Sequence, residues 1–147
     1  MTSRVTLIAA FVVGVCFVLP LSTCTRYVDA KGEALDVEEG ETPPAGAIAI
    51  VDHQIPAEQL WTNPLGGLVM LVSFLGPLAS ALHLRFARRA RVKRVVFWLQ
   101  PLLLLSAGHA TWVIAGFGEA TPAAWLAAAA VAALALAWLA AFVPRER

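Results

Sequence analysis

The chain has 147 residues and a formal net charge of +1, with 59% of its residues hydrophobic and 14% charged. An ordinary soluble domain is about 25% charged, so this composition and a mean hydropathy of +0.73 point away from a solvated domain and toward a polytopic membrane protein. The near-neutral total hides a segregation: residues 22–64 hold eight acids against Arg26 and Lys31, whereas six of the ten residues in 85–94 are Arg or Lys.

Residues 5–21 form the first apolar run, preceded by Arg4 and interrupted near its end by Pro20. It is short for a span, since crossing the hydrocarbon core takes about 20 helical residues. Read as an uncleaved helix, it enters from the cytoplasm and leaves Cys24 as a lone thiol at the outer interface. Read as a signal segment, it ends in Leu21-Ser22-Thr23-Cys24, which resembles the lipobox of bacterial lipoproteins. That resemblance implies lipidation of Cys24 and removal of everything before it; Thr23 departs from the small residues the motif favours. On an unbroken helix Cys16 and Cys24 would lie about 12 Å apart along the axis, too far for a disulfide.

Residues 22–64 are the one sizeable polar segment and lie outside by alternation. Thr25 to Gly46 is acidic, poor in large apolar residues and broken by Pro43-Pro44, so it is expected to be loosely ordered. Ala47 to Val51 reads as a strand or as a piece lying against the bilayer. Pro56 to Trp61 reads as an interfacial helical turn with proline at its first position.

The second span covers 65–84, with Gly76-Pro77 predicting a kink. The loop over 85–94 carries Arg85, Arg88, Arg89, Arg91, Lys93 and Arg94. Short cationic loops stay in the cytoplasm, so this one anchors topology and faces anionic lipid headgroups. The third span covers 95–116 and contains Pro101; an outer turn follows over 117–121. Thr121-Pro122 reads as an N-cap with proline behind it. The fourth span covers 122–143, rich in alanine, and residues 144–147 form a cytoplasmic tail. Trp61, Trp112 and Trp125 fall near the outer face and Trp98 and Trp138 near the inner one, as interfacial tryptophans should. The expectation is an all-α membrane protein: a four-transmembrane-helix bundle with both termini inside and an acidic outer loop between its first two helices, multi-pass in a bacterial inner membrane.

Helices associate in lipid through small residues and close approach. On the second span Gly66, Val69, Ser73, Gly76, Ser80 and His83 recur at heptad spacing, and Trp98, Leu102, Leu105, His109, Trp112 and Gly116 do so on the third. The predicted packing seam therefore comprises Gly66, Ser73, Gly76 and Ser80 against Leu102, Leu105 and His109.

No Asp, Glu, Lys or Arg lies within the four spans, and intramembrane carboxylates are what proton-coupled exporters use. Quinone-linked thiol oxidoreductases need paired outer cysteines, and Cys24 stands alone there. His83 and His109 are the imidazoles within the spans, but they lie at very different depths, so no single haem or metal takes both. Ser80 and Ser106 each precede a histidine by three residues and share its helix face, without a third group to orient a nucleophile. These residues specify no cofactor. The expected function is a structural or accessory membrane subunit without catalysis of its own. Its expected partners are the bilayer, anionic headgroups at the basic loop and a membrane protein or further copies of itself, and not nucleic acid. The alternatives are a haem- or metal-binding redox protein using His109, and a small oligomeric transporter of a neutral solute.

Overall fold

Pro20 decides where the first helix ends. In the computed structural model, which describes residues 4–37, 41–86, 88–116 and 118–141, α1 spans Arg4–Val15 and continues as a 3-10 turn over Cys16–Val18. Leu19 is then extended, at φ −99° and ψ 148°, because the proline ring bars its predecessor from helical geometry. The helix thus breaks between the two cysteines. Both remain free, Cys16 buried and Cys24 exposed.

Beyond the break the chain forms a small antiparallel sheet, so the fold is mostly helical rather than all-α. β1 (Ser22–Val28) pairs along its whole length with β3 (Ile48–Gln54), from Ser22 opposite Gln54 to Val28 opposite Ile48. The other edge of β1 takes β2 (Ala34–Leu35) at Tyr27–Val28 and β4 (Glu119–Ala120) at Ser22–Thr23. The expectation of a loose segment from Thr25 onward is corrected here. Thr25 faces Val51, Tyr27 faces Ala49 and Val28 faces Ile48 across the ladder, and β-branched and aromatic residues of this kind suit a pleated, half-buried surface. The return from β1 to β2 is a tight turn in which Asp29 Oδ1 accepts from the amides of Lys31 and Glu33, both at 2.8 Å. Gly32 there has φ +85°, a conformation glycine adopts without penalty.

A 3-10 turn (Pro56–Glu58) and the short α2 (Gln59–Thr62) lead to α3 (Pro64–Phe86), followed by α4 (Ala90–Ala115) and α5 (Pro122–Leu139). Asn63 Oδ1 accepts from Gly66 N at 3.2 Å, so α3 starts with a capping asparagine and proline behind it. These last three helices are each long and apolar enough to cross a membrane; Arg4–Val18 is apolar but shorter, at about 22 Å against a hydrocarbon thickness of about 30 Å.

Neighbouring helices alternate in direction. Ser73 meets Ser106 and Gly76 meets Leu103, so α3 and α4 are antiparallel. Gly108 lies against Val131 while Trp138 reaches Phe97, which makes α4 and α5 antiparallel too. α1 packs on both α3 and α5, with the Phe17 and Phe74 rings 6.4 Å apart. The core between them is made of small and medium side chains, including Ala10, Val13, Ser73, Phe74, Ala81, Ala107 and Ala127, all inaccessible. Backbones come close wherever glycine permits: a Cβ on Gly67 would collide with the backbone of Leu60.

This alternation puts the sheet at one end of the helices and Arg4 with the 85–94 segment at the other. Hydrogen bonds tie the sheet down. Ser22 Oγ donates to the carbonyl of Ile114 at 2.8 Å, and Leu21 N donates to Gln54 O at 3.0 Å. Thr121 stands at the N-cap of α5 as its sequence context predicts, yet its hydroxyl does not cap; it donates to Pro20 O at 2.6 Å.

Candidate functional site

A shallow groove runs between α4 and α5 on the outside of the helices. Its lower section, about 740 Å3, runs from Pro101 and Leu139 past His109 to Trp112. The upper section, about 530 Å3, shares Gly108, Trp112 and Val131 with it and continues to Ala124 and Trp125. Alanine and glycine floor the groove because α5 carries alanine at Ala124, Ala128, Ala132 and Ala135 and α4 carries Gly108 and Ala115. Small residues at those turns leave space that larger side chains would fill.

His109 stands in this groove. Its side chain is exposed, makes no hydrogen bond among the described residues, and lies about 9 Å below the sheet end of α4 at 1.5 Å per residue. A lone imidazole on the outer face of an apolar helix is costly in lipid unless something satisfies it. Leu102 and Leu105 share its face and are 61% and 71% exposed. The contact of α4 with α3 is made instead through Leu103 and Ser106, one position round the helix.

On α3, Ser73 and Ser80 are buried and Gly66 and Gly76 half-buried. Ser73 and Ser106 share a 2.6 Å hydrogen bond between helices, and Ser80 donates to the Pro77 carbonyl of its own helix at 2.9 Å. Neither serine bonds a histidine. His83 is exposed at the basic end of α3, about 20 Å from His109 along the helix axes. His53 pairs opposite Thr23, and Cys24 opposite Asp52, so His53 and Cys24 project from opposite faces of the sheet. Asp52 is engaged by Arg26 at 2.9 Å. Among the described residues no group of three His, Cys, Asp or Glu is placed to hold a metal ion.

The basic cluster is arranged differently from a simple loop. Arg85 lies in the last turn of α3, with its guanidinium 5.9 Å from the Phe86 ring centre; Arg89 is the N-cap of α4, and Arg91, Lys93 and Arg94 occupy its first turns. Arg88 lies between the helices, and all six side chains are exposed. Cations at a helix N-terminus oppose the macrodipole, so helix stability does not account for them. Residues 142–147, with the expected cytoplasmic tail, lie outside the described residues.

No family model, curated protein or solved structure matches the chain. The functional reading therefore rests on the geometry alone.

Sequence reasoning overlooked Gln100. It is the one carboxamide in the four expected spans, and it is 4% exposed on the inner side of α4. That singularity was the available signal.

Proposed function

We propose that the protein is a non-catalytic accessory subunit of a bacterial inner-membrane assembly, crossing the membrane four times with both termini and the basic segment in the cytoplasm. The shorter α1 completes its crossing through extended Leu19–Leu21, and the sheet with its acidic loop faces outward. The α4–α5 groove is the docking face for a transmembrane helix of the partner. One observation carries this reading: His109 has no hydrogen-bond partner among the described residues, yet it sits in a groove floored by glycine and alanine. A partner helix packed against that floor would supply both the close contact and the missing hydrogen bond.

The test is photo-crosslinking in intact membranes from a reactive residue placed at Ala132. The expected result is one major adduct with a single polypeptide, lost when Gly108→Leu fills the groove. Labelling of lipid alone, or an adduct insensitive to Gly108→Leu, would sink the subunit reading.

A second reading follows from the same imidazole, with His109 as an axial ligand to haem or a metal. It expects a visible Soret band in the purified protein that disappears in His109→Ala; colourless, metal-free protein with an intact fold removes it. Transport of a neutral solute gains no specific support from the groove, which lies outside the helices rather than between all four.

A further inference from the structure

A second cavity, about 330 Å3, lies at the basic end and is walled by α1, α3, α4 and α5 through Thr6, Leu84, Lys93, Phe97, Gln100 and Trp138 among others. Lys93, Phe97 and Gln100 are spaced i, i+4, i+7 and so form one stripe of α4. Lys93 is exposed at the rim, while Gln100 sits about 10 Å deeper along the helix. The Gln100 amide makes no hydrogen bond among the described residues. Among the described residues no fully buried side-chain nitrogen or oxygen lacks a partner, so its amide atoms keep contact with the cavity space. A carboxamide has two N–H donors and a carbonyl acceptor, and burying it without partners is costly.

Among the described residues the charge here has one sign. Arg4, Arg91, Lys93 and Arg94 surround this end, and the described acids all lie in the sheet, in its connections or in α2's approach. We infer that the cavity binds the headgroup region of an anionic phospholipid of the inner leaflet. Its phosphate sits at Lys93, and an ester carbonyl deeper in the membrane accepts from Gln100 Nε2. The chemistry recognised is a phosphate ester, which a soluble phosphate shares. The depth order selects the lipid, because the charged group lies at the rim and a neutral hydrogen-bond donor lies below it between apolar walls. Basic pockets between helices on the cytoplasmic side suit such headgroups, and the volume is at the small end for ligand sites.

The experiment is native mass spectrometry of the full-length protein in mild detergent, titrated with phosphatidylglycerol against phosphatidylcholine. The expected result is one tightly retained phosphatidylglycerol per chain, with retention at least about tenfold weaker in Gln100→Leu. Lys93→Gln should abolish the preference over phosphatidylcholine. Arg88→Gln with Arg89→Gln, at positions that lie outside the cavity lining and meet only the surrounding headgroups, should thin loosely associated lipid and leave the one retained lipid in place. Thermal unfolding confirms that each variant is folded; should Gln100→Leu fail that check, Gln100→Met, which removes the donor at similar length and without charge, takes its place. Equal retention by the Gln100 variant and the native chain, or loss through the Arg88 and Arg89 changes alone, overturns the inference. Displacement of the lipid by millimolar inorganic phosphate also overturns it, by naming a soluble anion as the ligand.

Discussion

Trp138 Nε1 donates a 3.2 Å hydrogen bond to the main-chain carbonyl of Phe97. Phe97 lies four residues before Pro101, which has no N–H, so the proline leaves that carbonyl without its helical donor. An indole from the neighbouring helix replaces the missing bond, and the two rings stack at 5.9 Å and 30°. The proline in α4 and the tryptophan in α5 thus act as one device, holding the basic ends of the two helices together and forming one wall of the Gln100 cavity.

Trp138→Phe should keep the ring packing and remove the donor, costing about 1 kcal/mol of stability. Pro101→Ala restores the helical donor, so the same Trp138→Phe change made in that background should cost much less. A double-mutant cycle followed by thermal unfolding in detergent measures the coupling. Additive costs would mean that the indole contributes packing alone.

The α3–α4 hairpin is held by the Ser73–Ser106 hydrogen bond and by the approach of Gly76 to Leu103. Ser106→Ala should cost about 0.6 kcal/mol, the typical worth of a hydrogen bond between membrane helices. A Cβ at Gly76 would stand 2.8 Å from Leu103 Cδ2, so Gly76→Val should cost more, roughly 1–3 kcal/mol, through overpacking. Leu103→Ala should recover part of that loss. Unfolding titrations of Ser106→Ala and Gly76→Val, each with and without Leu103→Ala, separate the two contacts, since only the glycine change should be rescued at Leu103.

The structure bears on the fate of the N-terminal segment. Ala10 and Val13 are inaccessible between α3 and α5, and Leu21 and Ser22 hold the end of β3 at Gln54 and the end of α4 at Ile114. Removing residues before Cys24 would expose that core and cut both anchors. Intact-mass measurement should find residues 1–23 retained and Cys24 without an acyl group. An acylated chain beginning at Cys24 would lack α1 and reduce the proposed four crossings to three.

The helices were legible because their signals are local: apolar length, Pro20, Thr121-Pro122 and the basic block each act within a few residues. Of the sheet only the run Ala47 to Val51 was legible, as one of two readings, and it lies largely in β3. β1 and the pairing were not, because the two strands are separated by a long connection and each is a modest run whose partner appears only when they meet. Thr121 shows the limit of local signals. Its position was readable, but its hydroxyl serves Pro20, a hundred residues away in sequence. The heptad rhythm on α4 also left the facing side open by one position, which is why His109 stands in an outer groove while Leu103 and Ser106 meet α3. Gln100 needed no partner knowledge to be noticed; its residue type in a span was the clue.

Orientation offers the last test, and the two cysteines are natural probes for it. Cys24 is exposed on the sheet and Cys16 is buried, so a membrane-impermeant maleimide added to intact spheroplasts should label the chain once, at Cys24. A Cys24→Ser variant should then remain unlabelled until it is denatured. Each basic residue of the 85–94 segment favours the cytoplasmic side. Replacing Arg85, Arg88, Arg89, Arg91, Lys93 and Arg94 by glutamine should therefore bring a mixed population, with labelling of Cys24 falling as part of the protein inserts the other way. Undiminished outer labelling would show that these residues do not set the topology and would reassign them to binding. Labelling of Cys24 only after the membrane is opened would invert the proposed orientation outright, placing the sheet in the cytoplasm and the Gln100 cavity at the outer leaflet.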